Sequence, residues 1–356
     1  MKMKLLTAWL AATIMMIVSG RSLALTPVNL TADYLRSPLL VDSAAPRLGW
    51  QYQAEGRGER ASRMQVSVRS DADQVWDSRV VAAKTPAMVL PSGALRSRTR
   101  YYWSVTVTDQ DGNTTRSEEA SFVTGVLQPE DWRGRWIWED NQVEPSDFAY
   151  FSKKFALPDA PREAIALVSA HNFYVLYING NQVGGLVNPA TSNPYSAKYY
   201  LAYDLKPFLR EGENRIDAVC FYKGAGGNNY IDGVPGFLFE AKISFKQGDD
   251  LWVTTGPDWK TRPDTAWDER APYHNHRRHT ISEDYDAGRV PEGWPGQTYD
   301  AAWRAATVVE PGYRMRAQYL AESGVDEVVT AKKRSPTWAG TWVFDFGREY
   351  GGVPLL

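Results

Sequence analysis

The sequence predicts an all-β chain, built as antiparallel β-sandwiches in series. Three observations predict it. Apolar residues recur with period two: Met64, Val66 and Val68 alternate with polar neighbours, and Tyr101, Trp103, Val105 and Val107 do the same. Such alternation marks strands with one buried face. Dipeptides suited to positive φ, Asp111-Gly112 and Asn179-Gly180, separate apolar runs, which is the hairpin signal. No long 3.6-residue pattern runs through the chain, and short helical turns are expected only at 205–210 and 300–305. The aromatic content agrees. Fourteen Trp and 19 Tyr in 356 residues suit β-rich cores, and also surfaces that stack on sugars.

At the N-terminus, Lys2 and Lys4 precede an apolar run over residues 5–18. Ser22 and Ala24 then supply the small residues that signal peptidase needs. Residues 1–24 therefore read as an export signal cleaved before Leu25, and the expected location is secreted or periplasmic in a bacterium. The run is short for a membrane span of about 20 residues. No later stretch is long and apolar enough to cross.

Residues 25–127 hold about seven short, turn-separated strands. Leu48-Gly49-Trp50 sets a Trp in an early core strand. Leu95, Thr99 and Tyr101 lead into a strong strand, a spacing that resembles the tyrosine-corner entry of a fibronectin type III sandwich. A short connection, 126–130, follows. Residues 128–310 form the second unit, a jelly-roll, lectin-like sandwich. Its strands are expected at 149–157, 164–169, 173–178, 199–203, 215–222, 236–245 and 251–254. An irregular tail over 264–303 is rich in Trp, His, Pro and Gly. A further β-domain starts at 311, with a strand at 341–346. Only about 45 residues belong to it, too few to bury an independent core. The chain therefore reads as the front of a longer protein.

Charge and cysteine usage exclude several classes. Lys plus Arg is 40 and Asp plus Glu is 42, for a formal charge of −2. A nucleic-acid binder would need a basic surface. The single cysteine, Cys220, rules out a disulfide framework within the chain and a multi-Cys metal site. It lies between Val219 and Phe221 and reads as a buried small hydrophobe.

Several blocks recur in a telling order: Pro46-Arg47-Leu48-Gly49-Trp50, Val75-Trp76-Asp77-Ser78, Thr99-Arg100-Tyr101-Tyr102-Trp103 and Phe122-Val123-Thr124-Gly125. After them come Asp131-Trp132, Trp136-Ile137, Tyr177-Ile178-Asn179-Gly180-Asn181, Tyr203-Asp204-Leu205, Tyr285-Asp286-Ala287, Trp303 and Phe344-Asp345-Phe346-Gly347. No single block is specific, but the series resembles the non-catalytic N-terminal half of bacterial α-L-rhamnosidases of glycoside hydrolase family 78. The resemblance covers essentially the whole chain after residue 24. It implies a fibronectin-like domain, a lectin-like domain, further β-domains, and then an (α/α)6 barrel whose acids cleave the glycosidic bond with inversion. Nothing here resembles that barrel, so no catalytic residue is assigned and these residues are expected to be inactive alone. The alternative is a stand-alone sugar-binding or cell-surface β-sandwich protein without catalysis.

An inverting glycosidase needs two carboxyls roughly 6.5–9.5 Å apart. Glu139-Asp140, Asp249-Asp250 and Glu283-Asp284-Asp286 read instead as solvated loop charge, and Asp345 as satisfying backbone donors or an Arg. His274, His276 and His279 are grouped, but Arg277 and Arg278 between them would repel a cation. Surface or structural use is expected there.

The second unit also resembles carbohydrate-binding module family 67, which binds L-rhamnose through calcium. That pattern places an Asp-Asn pair before the strand leading to the Asn-Gly hairpin. This sequence has His171-Asn172, and the exchange removes a carboxylate. The later loop, 224–235, supplies amides, one carboxylate and glycines that permit close approach. The resemblance thus implies Asn172, Asn228, Asn229, Tyr230 and Pro235 as carbohydrate contacts, and Asn172, Asn229 and Asp232 as ligands should calcium be bound. The partner it implies is an L-rhamnose-containing carbohydrate.

Overall fold

A computed structural model describes residues 25–54, 56–140, 144–224, 231–262, 265–268, 273–275, 280–281, 284–296, 302–322, 324 and 327–351. The expected export signal lies outside them. The chain divides into two compact units. The first comprises Met1–Pro38, Ala44–Leu95 and Thr99–Val123, and the second comprises Leu39–Ser43, Arg96–Arg98 and Thr124–Leu356.

The first unit contains β1 (Thr26–Ala32), β2 (Arg47–Gln53), β3 (Ala61–Arg69), β4 (Gln74–Asp77), β5 (Val81–Ala82), β6 (Ala87–Val89), β7 (Arg100–Asp109), β8 (Thr114–Arg116) and β9 (Ala120–Val123). One sheet has the order β1-β2-β6. The other has the order β4-β3-β7-β8, with β5 on β3 and β9 on β7. Alternation delivers the expected core: Met64, Val66, Val68, Tyr101, Trp103, Val105 and Val107 are all buried. Val66 pairs with Val105, and Val68 with Trp103. Each such large apolar side chain contributes roughly 1.5–3 kcal/mol on burial. Leu48 and Trp50 are buried from β2, and Tyr101 stacks on Phe122 at 5.4 Å. The Asp111-Gly112 turn closes as a longer loop. Asp109 Oδ1 accepts from the Asp111 N–H at 2.8 Å and the Asn113 N–H at 2.9 Å.

The second unit opens with β10 (Ile137–Trp138), β11 (Asp147–Leu157), β12 (Glu163–His171), β13 (Phe173–Ile178) and β14 (Asn181–Asn188). A short helix, α1 (Pro194–Ala197), leads into β15 (Lys198–Asp204). Next come β16 (Gly212–Tyr222), β17 (Gly236–Ser244), β18 (Leu251–Thr254) and β19 (Lys260–Arg262). The remaining strands are β20 (Tyr273–Asn275), β21 (Thr280–Ile281), β22 (Arg304–Ala305), β23 (Thr307–Val308), β24 (Met315–Ala317), β25 (Lys333–Pro336) and β26 (Trp342–Asp345). A seven-stranded sheet, β23-β10-β17-β12-β15-β24 with β18 on β17, and a six-stranded sheet, β14-β13-β16-β11-β19-β22, supply its core. Trp138, Phe151, Phe237, Phe239 and Trp259 fill that core with Cys220, which is fully buried as expected. At Asn179-Gly180 both residues have positive φ, 50° and 83°. Ile178 pairs with Asn181 across them, giving the two-residue hairpin that Asn-Gly favours.

The aromatic tail covers the outer face of the six-stranded sheet. Trp267 stacks on Phe148 at 4.7 Å, Trp294 packs on Tyr150 at 4.5 Å, and Trp303 stacks on Trp294 at 6.0 Å. On this sheet Arg215 Nε donates to Asp217 Oδ1 at 2.7 Å, and Ser152 Oγ donates to the same oxygen at 2.5 Å.

One expectation is corrected. The helical turn at 300–305 gives way to strand at Arg304–Ala305, because Thr261 pairs with Arg304 and Lys260 with Ala305. A tertiary ladder has overridden local preference. Beyond the expected boundary at 311, β24 joins the seven-stranded sheet through parallel pairing with β15, Lys198 opposite Met315. The helical turn expected at 205–210 forms as a 3-10 turn at Lys206–Phe208. Strand β26 pairs with β25 in a separate hairpin, where Asp345 Oδ1 accepts from the Gly347 N–H at 2.7 Å. Among the described residues, no helix is long and apolar enough to cross a membrane.

Candidate functional site

One end of the seven-stranded sheet gathers a group of polar and aromatic side chains. Strand β12 ends at His171, which pairs with Gly236 at the start of β17. On its other side, Val168 pairs with Leu201 of β15. Continuing that register by three residues sets Lys198 opposite His171, and Ser169 Oγ donates to the Tyr199 carbonyl at 2.7 Å between them. Gly236, His171, Lys198 and Met315 thus form a row across the sheet end.

The loop preceding β17 closes over this row. The Tyr222 hydroxyl, at the end of β16, donates to the Gly233 carbonyl at 2.8 Å and to Asp232 Oδ1 at 3.2 Å. Asp232 Oδ1 also accepts from the Gly233 N–H at 2.8 Å. Any side chain at Gly233 would collide with the Tyr313 hydroxyl and would lie 2.8 Å from His171 Nε2. Glycine is what allows the backbone to approach the imidazole. The Tyr313 hydroxyl donates to the Val234 carbonyl. Its ring meets Trp136 edge-on at 5.4 Å and Tyr195 at 5.6 Å, and lies 5.3 Å from His171. Helix α1 places Tyr195: the Asn193 side chain caps its first turn by accepting from the Tyr195 N–H at 3.1 Å. Tyr195 is exposed, while Trp136 and Tyr313 are half-buried.

The electrostatics follow from burial. His171 is pushed down to about 3, first by desolvation and then by the charge of Lys198. Its imidazole is neutral at pH 7. Desolvation also pushes the Lys198 ammonium down to about 7. Burial, with help from Asp232, raises the Tyr222 phenol, which stays a hydrogen-bond donor.

The expected site residues fall unevenly. Asn172 is buried at this corner, its N–H donating to the Phe221 carbonyl at 2.8 Å and its Oδ1 accepting from the Lys223 N–H at 2.7 Å. Asp232 and Pro235 lie on the loop that closes over His171. Asn228, Asn229 and Tyr230 lie outside the described residues, as do His276 and His279, whereas His274 belongs to β20. The acidic clusters are engaged in ordinary ways. Arg304 Nη2 lies 3.6 Å from Glu139 and 3.5 Å from Asp140, and Lys242 pairs with Asp250 at 3.1 Å. Asp286 accepts from the Gly288 N–H at 2.8 Å.

The described residues do not fit calcium. The ion needs several oxygen ligands and anionic charge. Here the Asn172 oxygen is already accepting, Asp232 is the one carboxylate of the expected set, and a buried lysine stands in the same row. Sequence reasoning missed Trp136, Tyr195, Lys198, Tyr222 and Tyr313. The Trp and Tyr excess pointed to aromatic surfaces in general, but nothing local distinguished Lys198.

Comparison with known proteins identifies the two domains. A family model described as a Rha78A-like, N-terminal immunoglobulin domain matches residues 27–128. It names an immunoglobulin domain where a fibronectin type III-like one was expected; both are two-sheet sandwiches. The model of the α-L-rhamnosidase N-terminal domain matches residues 159–325. An α-L-rhamnosidase of Formosa agariphila is 24% identical over 89% of this chain and 37% of its own length. One from Streptomyces avermitilis is 25% identical over 83% of this chain and 30% of its own length. The chain thus spans about a third of the length of the curated relatives it matches. Its fold resembles that of α-L-rhamnosidase from Dictyoglumus thermophilum, with a TM-score of 0.77 and 22% identity over 91% of this chain and 39% of that one. The Aspergillus terreus enzyme gives a TM-score of 0.72 and 19% identity over the same shares, 91% and 39%.

Proposed function

The chain carries the N-terminal domains of family 78 α-L-rhamnosidases, and from that premise we propose that it is the non-catalytic, carbohydrate-binding, accessory portion of a secreted rhamnosidase. The parent enzyme releases terminal L-rhamnose from glycosides or polysaccharides. Its catalytic carboxylates sit in a barrel that these 356 residues do not contain. The immunoglobulin-like domain, residues 25–127, precedes the lectin-like domain in the chain. Residues 333–351 begin a further β-domain.

The aromatic corner of Trp136, Tyr195 and Tyr313 carries the reading. Aromatic rings accept the apolar face of a sugar. Beside them, Asp232, neutral His171 and the loop backbone offer the polar groups that fix orientation in such sites. The family resemblance adds Asn228, Asn229 and Tyr230 as sugar contacts, and Asn172 accepts from the Lys223 N–H ahead of the loop.

Titration of L-rhamnose into the chain tests this. The expected affinity is on the order of millimolar, about −4 kcal/mol. Trp136→Ala should weaken it at least tenfold, Asn229→Ala should weaken it measurably, and a chelator should leave it unchanged. Equal binding by wild type and Trp136→Ala would remove the aromatic corner from the site. Loss of binding on chelation would reinstate calcium. The same protein should not turn over an aryl α-L-rhamnoside. Hydrolysis abolished by replacing one acid of this chain would contradict the accessory role.

Export is tested separately. The N-terminus of the exported protein should be Leu25, by N-terminal sequencing. Recovery of an intact Met1 from membranes would support an anchor instead.

A further inference from the structure

Among its described residues the second unit buries two cations, Lys198 and Arg215, and half-buries Arg98; the two arginines carry their own acid. Arg98 pairs with Glu240, and Arg215 pairs with Asp217. Lys198 differs. It is 3% exposed, yet among the described residues no carboxylate offsets its charge. Across the sheet end it faces His171, whose imidazole is neutral and carries no compensating charge. The Asp232 carboxylate on the neighbouring loop already serves the Tyr222 hydroxyl and the Gly233 N–H.

An ammonium taken out of water without a counter-charge is destabilising. A fold that pairs both of these arginines but not this lysine has left a place for an anion. The aromatic corner of Trp136, Tyr195 and Tyr313 lies at the same sheet end, against His171. A ligand seated there would bring its own anion to the ammonium. We propose that Lys198 is the anion receptor of the carbohydrate site, and that the site selects a sugar bearing a carboxylate. The inference rests on the carbohydrate-binding reading above and specifies its substrate class. The carboxylate of the sugar accepts from the Lys198 ammonium, while the ring lies on the aromatic side chains.

The test compares D-glucuronate, D-glucose, glucose 6-sulfate and L-rhamnose, titrated at pH 6 into the wild-type chain and Lys198→Met. Wild type should bind glucuronate at least tenfold more tightly than glucose. In Lys198→Met the two should bind alike. The ligand-free variant should also melt higher than wild type, by about 2–4 °C, because an uncompensated buried charge is gone. A purely structural lysine would give the opposite shift, and a cooperative melt shows that the variant folds. Wild-type binding of neutral sugars with no gain from the carboxylate overturns this inference and leaves the carbohydrate reading standing. Tighter binding of the sulfate than of glucuronate overturns the carboxylate assignment. Failure of every sugar to bind overturns both.

Discussion

Glu240→Ala should destabilise the second unit by about 3–5 kcal/mol, the cost of breaking a buried ion pair from one side. Glu240 lies on β17 and is 1% exposed. Its carboxylate accepts from Arg98 Nε, from the Arg133 N–H at 2.7 Å and from the Gly134 N–H at 3.0 Å. The Arg98 guanidinium also donates to the Asp131 carbonyl and lies 5.3 Å from the Trp252 ring centroid. Truncating Glu240 therefore strands a guanidinium and two backbone donors away from water. Each unsatisfied donor adds roughly 1–3 kcal/mol if no water reaches it. Glu240→Gln keeps an acceptor for one backbone N–H and should cost about half as much. Urea unfolding that follows the second unit's own transition measures the loss. A loss below about 1 kcal/mol for Glu240→Ala would mean that the pair is solvated rather than structural.

Lowering the pH from 7 to 4 should remove about 3 kcal/mol through His171 alone. The sign follows from the direction of its shift. The folded imidazole is held down to about 3, against an ordinary value of 6.5. Between those values the unfolded chain binds a proton that the folded chain refuses, so stability falls as the pH falls. The contribution is complete above about 6.5 and is lost progressively toward about 3, at roughly 1.4 kcal/mol per pH unit. Comparing wild type with His171→Gln at pH 7 and at pH 4 isolates it, because the carboxylates titrate in both proteins. Lys198 acts in a different window. Its folded value is depressed from 10.5 to about 7, so its effect on stability is lost as the pH falls from 10.5 to 7 and adds no slope below that. A wild-type profile parallel to that of His171→Gln from pH 7 to 4 would show that the imidazole reaches water.

Period two wrote the first unit's core into the sequence. Strands β3 and β7 bury one face each, so every second residue is apolar, and local pattern is enough. Asn179-Gly180 determined its hairpin for a local reason too, since both residues tolerate the positive φ that the turn demands. The order of blocks from Pro46 to Gly347 carried the family. Tertiary structure decided the rest. Strand β11 lacks alternation over residues 147–152 because both of its faces are buried there, the outer one under Trp267 and Trp294, more than 100 residues away. Arg304–Ala305 is strand because Lys260 and Thr261 offer it an edge. At the candidate site the loop residues were legible as polar groups on a glycine-rich stretch, and His171-Asn172 as a departure from the related pattern. Lys198 was not legible at all. In sequence it is one cation among 40 Lys and Arg. It becomes distinctive only when β12 and β15 set it beside a neutral imidazole, because burial and the absence of a nearby acid belong to the folded arrangement and leave no trace in local sequence.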